Sequence, residues 1–211
     1  MARNGNLIIV SGPSGAGKSA LVANVLQRLP RVRFSVSYTT RAPRGAERNG
    51  VEYFFVDRRE FQSLIDGDNL LEWAEVHDNC YGTSRKFVED LMREGDDVLL
   101  DIDVQGAAIV RRKRPDSIAV FILPPSFRVL RDRLRHRSLD DEVVIEQRLN
   151  RARKEIRHYQ EYDYLIINED LGSSTLELES IILGTRCRMN ARIESAKSVL
   201  ASFGGMDAKD P

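Results

Sequence analysis

The chain has 211 residues, a length that suits one domain with small insertions, since single cores stop growing near about 250–300 residues. Lysine plus arginine and aspartate plus glutamate each number 32, so the net charge is zero and bulk electrostatics favours neither nucleic acid nor an anionic membrane. No apolar stretch of signal-peptide length precedes Asn6, no run approaches the roughly 18 residues that span a bilayer, and the only cysteines are the widely spaced Cys80 and Cys187, a pattern that predicts a soluble, cytoplasmic protein with reduced thiols. His77, His136 and His158 have no ligand spacing with one another or with cysteine, which argues against a protein-bound zinc ion.

Taken in chain order, Leu7-Ile8-Ile9-Val10 is a short β-branched run that stops at the turn residues Ser11 to Gly15, as a buried strand does. From Lys18 the period changes: Leu21, Val22, Val25, Leu26 and Leu29 recur at helical spacing, and Pro30 closes the helix. Residues 37–84 break this pattern. They are turn-rich between Arg41 and Gly50, β-like at Val51 to Val56 and helical at Glu60 to Ile65, and they read as an inserted α/β module. Apolar runs then return at Val98-Leu99-Leu100, Ile118 to Leu123 and Tyr164 to Ile167, separated by helical patterns at Phe87 to Arg93, Ala107 to Arg112 and Phe127 to Arg135, the last continuing toward Tyr159. Short, nearly continuous apolar strands alternating with helices predict a doubly wound α/β sheet with right-handed crossovers and ligands at the carboxyl ends of its strands. A single helix is expected from Leu176 to Leu200, with Gly184 inside it, and the small polar tail 204–211 is expected to be disordered.

Gly12-Pro13-Ser14-Gly15-Ala16-Gly17-Lys18-Ser19 satisfies G-x-x-x-x-G-K-[ST] between a strand and a helix, the context in which that motif cradles the phosphates of a nucleoside triphosphate. Main-chain N–H groups and the helix N-terminus supply positive potential, Lys18 a point charge for the β- and γ-phosphates, and Ser19 a hydroxyl for Mg²⁺. Asp101, ending the strand at Val98 to Leu100, is the natural acidic partner of a hydrated Mg²⁺.

The insert carries Ser37-Tyr38-Thr39-Thr40-Arg41-Ala42-Pro43-Arg44, followed by Tyr53: two guanidinium groups, hydroxyls and a phenol suited to a phosphate monoester. This segment closely resembles the S-x-T-T-R-x-P-R of the guanylate kinase family, and the resemblance continues through Glu72-Trp73-Ala74, Tyr81-Gly82-Thr83 and Leu100-Asp101-Ile102-Asp103-Val104-Gln105-Gly106, spanning Ile8 to Asn168. It implies a phosphate-loop nucleoside monophosphate kinase fold with a mostly parallel five-stranded core sheet and helices on both faces. In that scheme residues 1–36, 85–127 and 158–203 are the core, 37–84 the GMP-binding module and 128–157 a helical lid.

By the same resemblance, Ser37, Arg41, Arg44, Tyr53 and Tyr81 hold the GMP phosphate, and Glu72, Thr83 and Asp103, with Gly82 beside them, read guanine. The residues from Gly12 to Ser19 bind ATP, and Asn168 resembles the position beside its adenine. Arg133, Arg137 and Arg148 of the lid bring cations to the phosphates, joining Lys18 and Arg41. The lid turn departs from the family's Arg-Gly, reading Arg137-Ser138-Leu139-Asp140-Asp141. The implied reaction moves the γ-phosphate of ATP, with Mg²⁺, to GMP or dGMP, and leaves homo-oligomerisation open. The chemistry agrees, because a carboxylate such as Glu72 can accept from guanine N1–H and N2–H₂ together, whereas adenine offers an unprotonated N1. A kinase of a ribose bisphosphate would have little use for Glu72 and Asp103, and a phosphopeptide-binding scaffold would not need Lys18 and Ser19. Arg111 to Arg114 read as a cationic helix end; Tyr38 and Trp73 read as packing residues.

Overall fold

The computed structural model describes residues 4–76, 78–137 and 142–203, with the backbone alone at Val76, His136 and Arg137. The expectations for the Arg137 side chain, the lid turn at 138–141 and the tail 204–211 lie outside the described residues.

Strand β1 (Leu7–Ser11) buries every side chain and leads through the phosphate loop into α1 (Lys18–Arg28). After β2 (Val32–Phe34) come β3 (Ser37–Thr39), β4 (Tyr53–Phe55), α2 (Arg58–Asp66), β5 (Leu70–Val76) and β6 (Asn79–Ser84). The chain then returns to the core with α3 (Arg85–Arg93), β7 (Asp97–Asp101), α4 (Val104–Lys113) and β8 (Ile118–Leu123). Helices α5 (Phe127–Arg137) and α6 (Glu142–Glu155) and a 3₁₀ segment (Ile156–Glu161) lead to β9 (Tyr164–Ile167), followed by α7 (Leu171–Thr185) and α8 (Met189–Ser202). No helix among the described residues is long and apolar enough to cross a membrane.

The core sheet has five strands in the order β2-β7-β1-β8-β9, and all four neighbouring pairs are parallel. Alternation along the strands divides its side chains between two faces. Ile8, Val10, Leu99, Ile118, Val120 and Ile122 pack with Leu21, Val22 and Val25 of α1 and Leu178 and Ile182 of α7. Leu7, Ile9, Val98, Leu100 and Ala119 pack with Val88 and Met92 of α3 and Ala107 and Val110 of α4. Burial on both faces explains why the central strands read as unbroken apolar runs. Strand β2 gave no such run, because of its three residues only Val32 is buried.

Residues 37–76 and 78–84 build a second sheet in the order β4-β3-β6-β5, with β3 parallel to β4 and antiparallel to β6. On edge strand β5, Glu72 and Ala74 turn toward a cavity, so Trp73 between them turns outward and is 42% exposed. Trp73 is therefore not a packing residue, a correction that the two-residue period of the strand accounts for. Tyr38 does pack, its ring 5.1 Å from that of Phe54. Helices α5 and α6 share a separate small core of Leu130, Leu134, Ile145, Leu149 and Ala152.

The expected single C-terminal helix is two helices. Arg186, which follows α7, donates from Nε to Asp97 Oδ2 at 2.7 Å and from Nη2 to the Pro30 carbonyl at 2.9 Å, and Arg188 leaves helical geometry at φ −58° and ψ 146°. The helical pattern continues across this break, but a buried carboxylate captures Arg186 and redirects the chain. Asp97 also accepts from the Asn6 main-chain and side-chain nitrogens, both at 2.8 Å, tying the start of β1 to the same point.

Asp97 is fully buried. Removing one partner of a buried ion pair strands the other charge, so Arg186→Met is expected to lower unfolding stability by about 3 kcal/mol, measured by urea denaturation.

Candidate active site

The phosphate loop starts where β1 ends, and its shape follows from glycines. Gly17 caps α1 with φ 96°, and a β-carbon there would lie 2.2 Å from Asn168 Nδ2. Only glycine meets both demands. Asn168 Nδ2 donates to the Ala16 carbonyl at 2.8 Å, and Arg133 donates to the Ala16 carbonyl at 3.3 Å and the Asn168 carbonyl at 3.0 Å. Asn168 is buried, and neither it nor Arg133 lines the cavity in front of the loop. Both brace the loop from outside the cavity.

That cavity, about 530 Å³, is faced by Gly12, Ser14, Gly15, Gly17, Lys18 and Ser19, by Asp101 to Asp103, and by Arg44, Arg148 and Arg151. Lys18 Nζ folds back onto the Gly12 carbonyl at 2.7 Å and the Pro13 carbonyl at 3.4 Å, and stands 4.0 Å from Asp101 Oδ1. Ser19 Oγ donates to Asp101 Oδ2 at 3.1 Å. The strand register explains this meeting: Val10 pairs with Asp101, so the first turn after β1 lies beside the end of β7. From α6, Arg148 donates to Ser14 Oγ at 2.9 Å.

A second cavity of about 240 Å³ opens on the inserted sheet between Ser37, Tyr53, Glu72, Tyr81 and Asp103. Sheet register places these residues. Tyr53, Ser37, Thr83 and Glu72 form one rung across all four strands and thus share a face, and Tyr81, two rungs along and opposite Thr39, returns to that same face. Burial pushes the Tyr53 phenol up, which keeps it a hydrogen-bond donor at neutral pH. Gly82 packs where any side chain would collide with Leu70 and Phe61, a structural place beside the site.

Glu72 is buried at 5% exposure and accepts from Thr83 Oγ1 at 2.5 Å. A β-carbon on Gly106 would lie 2.9 Å from Glu72 Oε2, so the glycine that opens α4 makes room for this carboxyl. Burial, reinforced by the nearby charge of Asp103 and opposed by the Thr83 hydrogen bond, pushes the Glu72 carboxyl up to about 7. Asp103 caps α4, its Oδ1 accepting from Gln105 N at 3.1 Å and Gly106 N at 2.9 Å.

Arg41 is buried at 9% exposure, its guanidinium 5.3 Å from the Tyr53 ring centre. Its Nη2 donates to Glu47 Oε1 at 2.9 Å, and Glu47 Oε2 accepts from Arg44 N at 2.8 Å. The hydrogen bond from Arg41, supported by the one from the Arg44 main chain, holds the Glu47 carboxyl below its usual range. Glu47 thus sits where a carboxylate can answer the cationic loop before any phosphate does. Sequence reasoning missed it, although an acid three residues beyond Arg44 was a readable signal. It also missed Arg151, whose charge was hidden among the many arginines of α5 and α6.

A phosphate loop at the head of a parallel sheet, facing a hydroxyl- and guanidinium-lined cavity on an inserted sheet, defines the phosphate-loop nucleoside monophosphate kinase fold. The guanylate kinase family model matches residues 4–184, and the chain belongs to that family. It is 50% identical over 186 residues to a guanylate kinase of Alcanivorax borkumensis, covering 88% of this chain and 90% of that one. A guanylate kinase of Geobacter sulfurreducens is 47% identical over 203 residues, covering 96% and 100% respectively. The crystal structure of guanylate kinase from Anaplasma phagocytophilum superimposes with a TM-score of 0.79 at 33% identity, over 98% of this chain and 99% of that chain.

The raised Glu72 pKa has a stability consequence. Because the folded value of about 7 exceeds the ordinary 4.5, the native state retains a proton that the unfolded chain releases, so the ionisation penalty of this carboxyl is absent below about pH 4.5, grows between there and about pH 7, and levels off above that. Glu72→Gln is therefore expected to be more stable than the parent at pH 8 by about 2–3 kcal/mol, with the gap closing toward pH 5, in urea unfolding without nucleotide.

Proposed function

We infer that this chain transfers the γ-phosphate of ATP to GMP, and to dGMP, giving ADP and GDP. The observation that carries the reading is the meeting of the two cavities: Asp101, Ile102, Asp103 and Arg151 line both, so anions bound on either side face each other across one strand end. In this reading residues 37–84 form the GMP-binding module and 128–157 the lid, closing on a core made of the rest. Two free thiols, at Cys80 and Cys187, fit the reducing cytoplasm.

The acceptor needs no general base, since a phosphate oxygen of GMP is already anionic. It attacks the γ-phosphorus, a bond forms between that GMP oxygen and the γ-phosphorus, and the bond from the γ-phosphorus to the bridging oxygen breaks with its electron pair going to ADP. Catalysis is then alignment and charge neutralisation. Gly12 to Ser19 hold the triphosphate by main-chain N–H groups, and Lys18 exchanges the Gly12 and Pro13 carbonyls for phosphate oxygens. Arg41, Arg44, Ser37, Tyr53 and Tyr81 take the GMP phosphate, while Glu72, positioned by Thr83, and Asp103 accept from the guanine donors. Arg148 already reaches the loop; Arg133 would have to release the Ala16 and Asn168 carbonyls to join it, and Arg137 completes the lid's cationic set by family resemblance.

Ser19 Oγ and Asp101 Oδ2, in contact at 3.1 Å, form a hard oxygen pair that fits Mg²⁺, an ion bound chiefly through substrate phosphates and water. When bound there it would neutralise charge developing on the transferring group. Asn168, which holds the Ala16 carbonyl of the loop, is given to the adenine end of ATP by family resemblance.

GMP, dGMP, AMP, CMP and UMP, each offered with ATP and magnesium, should separate cleanly in a coupled ADP assay, with GMP the preferred acceptor; no GDP formation would overturn the reading. Lys18→Ala is expected to cut turnover by about 10²–10³-fold, and a near-normal rate would contradict the phosphate-loop mechanism. Glu72→Ala should raise KM for GMP far more than KM for ATP, which steady-state kinetics with each substrate varied in turn will show.

A further inference from the structure

Asp103 has a countable set of hydrogen-bond positions. An ionised carboxylate offers about four acceptor sites, two on each oxygen. Oδ1 is filled by the Gln105 and Gly106 amides that begin α4. Only Oδ2 is left to face a nucleobase, and Arg151 Nη2 donates to it at 3.3 Å. Arg151 comes from α6, across the cavity, and is itself aimed by Glu155, which accepts from its Nε at 2.8 Å and is buried at 9% exposure. The same arginine lines both nucleotide cavities. Glu72 lies close by, because a β-carbon on Gly106 would stand 2.9 Å from Glu72 Oε2 and 3.5 Å from Asp103 Oδ1.

Guanine presents three hydrogens on this edge, one on N1 and two on N2. Glu72, with one oxygen already accepting from Thr83, can take N1–H and one N2–H side by side, which leaves one amino hydrogen for Asp103. We propose that Arg151 is a specificity-determining and positioning residue: by occupying one of the two acceptor sites left on Asp103 Oδ2, it fixes that oxygen for a single amino hydrogen and makes lid helix α6 part of base recognition. This rests on the guanylate kinase reading and adds to it the means by which the lid senses the base. Arg151 acts through Asp103, and its weight therefore falls on a base that carries an exocyclic amino group.

Inosine monophosphate, which keeps N1–H and lacks the amino group, separates this role from a structural one. In the full-length protein, Arg151→Met is expected to raise KM for GMP about tenfold, the order of one hydrogen bond to a charged group, with kcat nearly unchanged. The KM for inosine monophosphate should hardly move, so the preference between the two nucleotides falls by a similar factor. Arg151→Lys, which restores a cation between Glu155 and Asp103, should recover part of that preference and guards against a folding defect in the first variant. Equal losses on both nucleotides, a fall in kcat alone, or no change would overturn the proposal while leaving the kinase assignment intact. Absence of GDP formation by the parent protein would instead overturn the assignment, and this inference with it.

Discussion

The parallel pairing of Val10 with Asp101 is the constraint from which the site follows. Both strands end at the same edge, so the loop after β1 and the segment Asp101-Ile102-Asp103 after β7 must share one space. Ser19 and Lys18 reach Asp101 because of that register, and Asp103 is carried two residues further to the mouth of the inserted sheet. The sheet's hydrophobic faces, closed by α1 and α7 on one side and α3 and α4 on the other, hold the two strand ends at fixed separation. A shift of one residue in this pairing would turn side chains to the opposite face, where they would have to pack against the wrong pair of helices.

Around that edge four cations are already engaged within the protein. Lys18 rests on loop carbonyls, Arg41 on Glu47, Arg148 on Ser14 and Arg151 on Asp103. Nucleotide binding is therefore an exchange of internal partners for phosphate or base, and the gain is the difference between two sets of charge-assisted hydrogen bonds. Such pairing keeps long side chains ordered before substrate arrives, which reduces the entropy lost on binding. It also lets a neutral chain present intensely cationic surfaces locally without long-range attraction for polyanions.

The sheet was legible chiefly because its central strands are buried on both faces and so stand out as apolar runs. The phosphate loop was legible because its geometry demands particular residues at fixed spacing. The exposed Trp73 and the break at Arg186 were hidden for different reasons: the first depends on which face of β5 meets the cavity, the second on a partner distant in sequence, Asp97. The rung of Tyr53, Ser37, Thr83 and Glu72 shows both sides of this. Family resemblance supplied its members, but only the pairing of four strands shows why they face one cavity. Asn168 and Arg133 were expected at the nucleotide; in the structure both hold carbonyls that support the loop, because a tight turn leaves acceptors that need donors.

Asp103 holds two posts at once, as the first anchor of α4 and as a wall of the guanine cavity. A helix cap of this kind is worth about 1 kcal/mol, so a replacement that suited another base would also loosen the helix that packs against β1. Evolutionary drift at this residue thus carries a double penalty. A lineage changing its choice of nucleotide would find easier passage at neighbours such as Arg151, which caps no helix and reaches the base only through Asp103.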